Sequence, residues 1–95
     1  MPTRVDLDRP RQTVGLVECP VQNELLLYDP RSERVVALNI SARAIWELCD
    51  GRRSAADVSA TLGESLGLSM NALEHDVGRA IAELRDAGFL EPHLD

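Results

Sequence analysis

The sequence predicts an α+β domain, a three-stranded antiparallel sheet followed by three helices, and three observations carry that prediction. Apolar residues fall in short runs rich in β-branched side chains up to Leu38, then recur at three- and four-residue intervals from Ala42 onward. The turn residues Asp29-Pro30-Arg31-Ser32-Glu33 separate two of the early runs. Gly51, Gly67 and Gly88 punctuate the later ones, as helix-ending glycines do.

Taken in order, residues 1–12 are polar, hold two prolines and show no periodicity, so they read as a loose N-terminal arm. From Thr13, Val14, Leu16, Val17 and Val21 suit a short irregular edge strand, because Pro20 cannot donate to a central ladder. Glu24–Tyr28 and Arg34–Leu38 form the two arms of a hairpin. The stretch from Leu38 to Ser54 then turns sheet into helix. Ser41 is the expected N-cap, with Asn39 in the preceding turn, and the helix runs to Asp50. Ala42, Ile45, Trp46 and Cys49 share its inner face, and Trp46, the sole tryptophan, is the largest anchor of the core.

Gly51 closes that helix, and Ser54 with Asp57 three residues on reads as a capping box for the next. The second helix spans residues 55–66, with Val58, Leu62 and Leu66 inward; Gly63 within it costs about 1 kcal/mol relative to Ala and loosens its last turn. The third spans residues 70–87, with Ser69 as cap and Leu73, Val77, Ala80, Ile81 and Leu84 as its apolar stripe. Phe89-Leu90 then folds back on the core. The organisation is an arm (1–12), one domain (13–91) and a tail (92–95), winged-helix-like with its strands first.

Ninety-five residues suffice for one modest core. Aromatic residues make up 3%, so that core is aliphatic and offers no platform for stacking bases. The net charge of −6 is unevenly placed: residues 1–53 hold eight acids and eight arginines, residues 54–95 eight acids and two arginines. No apolar run nears the roughly 20 residues that cross a bilayer, and Cys19 and Cys49 lack metal or redox spacing, so a cytoplasmic protein with reduced thiols is expected. A third helix bearing Glu74, Asp76, Glu83 and Asp86 against Arg79 and Arg85 opposes phosphate binding, which argues against a nucleic-acid partner.

No enzyme constellation assembles, and no metal or cofactor is implied. His75 lies on the polar flank of the third helix and His93 in the tail; Cys49 is a core thiol, and Cys19 has no histidine near it in sequence. No glycine-rich phosphate loop, zinc spacing or nucleophile elbow occurs. What remains is a strand edge, to which a guest peptide can add as a further strand. An acidic winged-helix regulator or interaction domain without a peptide substrate is the alternative of another class.

The run Arg34-Val35-Val36-Ala37-Leu38-Asn39-Ile40-Ser41-Ala42, continuing through Ile45-Trp46-Glu47-Leu48-Cys49-Asp50-Gly51 to Arg53-Ser54, resembles the signature of the PqqD family. Asp76-Val77, Leu84 and Gly88-Phe89-Leu90-Glu91 extend the resemblance at pattern level over about residues 24–91. Members are small peptide-binding modules, or RiPP recognition elements. They hold the leader of a ribosomally made precursor peptide and present it to a modifying enzyme.

The resemblance implies a non-catalytic chaperone whose partners are a precursor peptide and an enzyme such as a radical SAM enzyme or a lasso-peptide protease. By position it implies that Arg34, Val35, Val36, Ala37 and Leu38 form the template strand for the leader, with one flank of the third helix, Asp76, Arg79, Ala80 and Glu83, lining the groove. A competing flank holds Glu74, His75, Gly78 and Arg85. The segment Leu25–Glu33 is more similar to the broader PqqD-like set than to the pyrroloquinoline quinone branch. A small sheet with an irregular first strand also leaves a homodimer by strand exchange open.

Overall fold

The computed structural model describes residues 8–92. Six elements follow in the expected order: β1 (Val17–Val21), β2 (Glu24–Asp29), β3 (Arg34–Leu38), α1 (Ile40–Leu48), α2 (Ala55–Leu66) and α3 (Met70–Asp86). The strands form one antiparallel sheet in the order β1-β2-β3. Val17 faces Tyr28 and Val21 faces Glu24 in the first pair; Leu25 faces Leu38 and Asp29 faces Arg34 in the second. The hairpin forms where its turn residues stand. The Glu33 amide donates to the Asp29 carbonyl at 2.8 Å, and the Asp29 carboxylate accepts the Arg31 amide at 3.0 Å. That amide is the main reason the Asp29 carboxyl is held below the usual aspartate range.

Period-two alternation sorts the sheet into two faces. Leu25 and Leu27 of β2 and Leu38 of β3 are buried against the helices, joined by Ile45, Trp46, Cys49, Val58, Leu62, Val77, Ile81, Leu84, Phe89 and Leu90. α1 packs against β2, β3, α2 and α3. The indole Nε1 of Trp46 finds no hydrogen-bond partner among the described residues, a cost of about 1–3 kcal/mol that this side chain's buried area must outweigh. Beside it, Cys49 donates its thiol to the Ile45 carbonyl at 3.2 Å, and burial pushes that thiol up to about 11.

Four expectations change. α1 starts two residues before the predicted helix, because Asn39 rather than Ser41 is its N-cap, accepting the Ala42 amide at 2.9 Å. It also stops at Leu48, with Cys49 as C-cap, so Gly51 does not close it. Gly51 instead takes φ +81° at a seat for the N-terminal segment: its amide donates to the Pro10 carbonyl, and a Cβ there would lie 2.5 Å from Arg11 Nε.

Residues 8–12 are correspondingly fixed, not loose. Pro10 is buried, Gln12 donates to the Trp46 carbonyl, and Arg11 and Gln12 bridge to Asp50 and Leu90. Finally, Leu66 is 61% exposed and leaves the stripe that Val58 and Leu62 keep.

The capping box and the stops at Gly67 and Gly88 act as read. Ser54 and Asp57 form the capping box, and Gly67 ends α2 in the left-handed conformation. Gly88, at φ +88°, ends α3: its amide donates to Arg85 and that of Phe89 to Leu84, which swings Phe89 and Leu90 into the core. Gly63 does more than loosen its helix. A Cβ there would meet the Leu68 carbonyl at 2.9 Å, so the glycine lets the chain beyond α2 fold back against it.

Gly63→Ala is therefore expected to lower the thermal midpoint, although helix propensity alone would raise stability by about 1 kcal/mol. A raised midpoint contradicts the close approach. Asp29, Asp50 and Asp57 are all held below 3.8, each chiefly by a backbone amide donating to its carboxylate. The native state thus binds protons more weakly than the unfolded chain. That part of the stability is complete above 3.8 and is lost as pH falls through the lower native values. Urea midpoints measured against pH should show the acid loss, and Asp57→Asn should lower the neutral plateau while shrinking the fall; an unchanged fall contradicts the assignment.

Candidate functional site

β3 pairs with β2 on one side only, so its other edge is open among the described residues. β1 is the sheet's second edge and carries Pro20, which removes one amide from any further ladder. β3 has no proline and one charge, Arg34. Of the two edges it is the one with a full set of backbone donors and acceptors to offer. Val36, half-buried, and Leu38, buried, lie on the face covered by the helices; Val35, 62% exposed, and Ala37 lie on the other.

Beyond that edge lies α3. No Cα of α3 comes within 8 Å of a Cα of β3 among the described residues, while α1 packs against both. The two elements meet through a side chain, where the Arg34 guanidinium donates to the Ala87 carbonyl at 3.3 Å. With 3.6 residues per turn, Asp76, Ala80, Glu83 and Ala87 fall on one strip of α3 beside its buried stripe of Val77, Ile81 and Leu84. Ala80 and Ala87 are half-buried, Asp76 and Glu83 exposed. Arg79 lies farther round, on the outer side, 3.6 Å from Asp76.

The opposite flank is already occupied. Arg85, 19% exposed, donates to both carboxylate oxygens of Asp8 at 2.9 and 3.0 Å and to the Glu91 carbonyl at 2.9 Å. Glu74 and Gly78 share that side of the helix, and His75 stands exposed nearer its back. Sequence reasoning did not foresee the Asp8–Arg85 clasp, which joins residues 77 positions apart. Ala87 was missed as well, though its spacing from Asp76, Ala80 and Glu83 continues the same strip.

α3 exposes Glu74, Asp76, Glu83 and Asp86, and both its arginines are engaged with aspartates, so the helix surface presents negative charge, with Asp76 and Glu83 on the strip beside Ala80. Among the described residues no three His, Cys, Asp or Glu side chains gather as a metal site, and no helix is long and apolar enough to cross a membrane. His93 lies outside the described residues. A hollow lined by Gln22, Asn23, Ile40, Arg43, Ala44 and Glu47 takes no residue from β3 or α3.

Comparison with known proteins places this geometry. None of the curated proteins matches the sequence. Among solved structures, TbiB1 in complex with the TbiA(beta) leader peptide is similar with a TM-score of 0.77 at 15% identity, covering 90% of this chain and 99% of that one. A lasso peptide synthetase B1 complexed with the leader peptide is similar with a TM-score of 0.77 at 22% identity, covering 90% of this chain and 100% of that one. These likenesses share the fold of three strands followed by three helices. The family model of coenzyme PQQ synthesis protein D matches residues 24–90, the hairpin through the tail after α3, and the chain belongs to the PqqD family.

Proposed function

We propose that this chain is a non-catalytic peptide chaperone. It binds the leader of a ribosomally synthesised precursor peptide by strand addition at β3 and presents it to a modifying enzyme such as a radical SAM enzyme or a lasso-peptide protease. The observation that carries the reading is the open β3 edge, joined to the end of α3 by the Arg34–Ala87 contact, in a chain of the PqqD family. The two solved structures of the same fold were both obtained with a leader peptide. A guest strand would draw affinity from main-chain bonds to Arg34–Leu38 and specificity from the side chains beneath it.

The flank of α3 that serves the groove is the strip of Asp76, Ala80 and Glu83. Two contacts favour it: Arg34 reaches Ala87 at one end of that strip, and the N-terminal segment fills the flank of Arg85. Ala80 and Val36 both pack half-buried against the core, and Ala80 supplies the strip with a small apolar wall. Asp76 and Glu83 favour basic residues in the leader, raising association rate and selectivity more than raw affinity. Arg79 has its charge committed to Asp76 and works at the rim. With both arginines of α3 engaged and four acids exposed, the alternative reading as a nucleic-acid-binding regulator lacks the cationic face it needs.

The test is a titration of the isotope-labelled chain with the leader of a precursor encoded beside it. Shifts should concentrate on Arg34–Leu38 and on Asp76, Ala80 and Glu83. Ala80→Leu, which fills the groove from an outer position of α3, should weaken binding at least tenfold, about 1.4 kcal/mol, with the melting curve retained. Shifts confined to α2, or full affinity in Ala80→Leu, would reject the site.

A further inference from the structure

The alternation along β3 that puts Val36 and Leu38 on the helix-covered face puts Arg34 on the same face, and the register sets Asp29 directly across from it. Opposite charges facing each other on neighbouring strands normally pair. Here they do not. The Asp29 carboxylate is taken from the turn, accepting the Arg31 amide at 3.0 Å with the Arg31 guanidinium 3.5 Å away. Arg34 instead donates to the Ala87 carbonyl just past the end of α3, a neutral acceptor at the long distance of 3.3 Å.

The two arginines of α3 differ in this respect. Arg79 and Arg85 stand 3.6 and 2.9 Å from aspartates, whereas Arg34 makes no ion pair among the described residues. Sixteen acids against ten arginines leave no shortage of partners in this chain, so the exposed Arg34 is a cation kept without a counter-charge at the one strand edge able to accept a guest. Its planar fork retains N–H donors for a further acceptor.

We propose that Arg34 reads an acidic side chain of the leader, an Asp or Glu that faces it when the leader pairs with β3. The inference rests on the leader-binding reading, because a guest strand would bring alternate side chains onto the face of Arg34, Val36 and Leu38. A carboxylate meets a guanidinium fork with two parallel charge-assisted bonds, which a single carbonyl oxygen cannot match. The leader continues into the segment to be modified, so the carboxylate belongs to a side chain and not to a chain end. Glu83, whose carbonyl accepts the Ala87 amide, lies one turn away and would repel the same acid if Arg34 were absent. Asp76 lies about 16 Å farther up the helix from Ala87. The leader that fits therefore carries its charges in order, an acid at the Arg34 end of β3 and bases toward Asp76.

The experiment measures the affinity of the full chain for the leader of a precursor encoded beside it, and for the same leader with each Asp and Glu changed singly to Asn or Gln. The same set is measured with Arg34→Gln and Arg34→Ala; Arg34 is exposed, so at least one of these is expected to fold, as its melting curve will show. One acid of the leader should stand out. Its amide form binds the wild-type chain about fivefold more weakly than the parent leader, and binds the Arg34 variants no more weakly than the parent does. An arginine that only tethers α3 would lower affinity for every leader alike when replaced, and that pattern overturns the proposal. A leader in which no acid discriminates overturns it as well, while leaving strand addition at β3 intact. A wild-type chain that binds no leader overturns both readings.

Discussion

The placement of α1 is the constraint on which the rest of the fold depends, because it is the one described element packed on both the sheet and α3. That helix packs at once on β2, β3, α2 and α3, with Ile45, Trp46 and Cys49 turned into the shared core. No Cα of α3 lies within 8 Å of β3 among the described residues, so the two are joined through α1 and the Arg34–Ala87 contact. Trp46 is part of that core, and among the described residues its indole N–H has no partner.

Around that spacer the remaining contacts act as ties. The N-terminal segment crosses the end of α1, with Gln12 on the Trp46 carbonyl and Pro10 on Gly51, and reaches α3 through Asp8 and Arg85. Phe89 and Leu90, turned inward by Gly88, fasten the same C-terminal end of α3 and pair with the same segment at Gln12. The result fixes the C-terminal end and one flank of α3 to the rest of the fold and leaves Asp76 and Glu83 on the other flank exposed. The two edges of the sheet divide in the same way: Pro20 blunts β1, and β3 stays capable of pairing.

The sequence made much of this legible because local signals and tertiary packing agree. β3 and α2 have the bounds read from periodicity, and the Ser54–Asp57 box and the stops at Gly67 and Gly88 stand where their chemistry put them. The start of α1 was ambiguous because Asn39 and Ser41 are both good caps two residues apart. Only the geometry around Ala42 chooses between them. Gly51, Gly63 and residues 8–12 escaped for one reason: each is explained by a partner far along the chain, or by a backbone atom crossing close by, and periodicity records neither. The flank of α3 was undecided for the same cause, since the clasp between Asp8 and Arg85 leaves no trace at the level of spacing.

The central claim is that β3 accepts a guest strand, and hydrogen exchange reads that event at the atoms concerned. Amide exchange rates along Arg34–Leu38, measured with and without the leader peptide, should show those β3 amides that point away from β2 becoming protected by a factor of ten or more. The amides already bonded to β2 should change little. Equal exchange at the outward β3 amides in the two states, with the leader demonstrably bound, would place the peptide elsewhere and contradict the account.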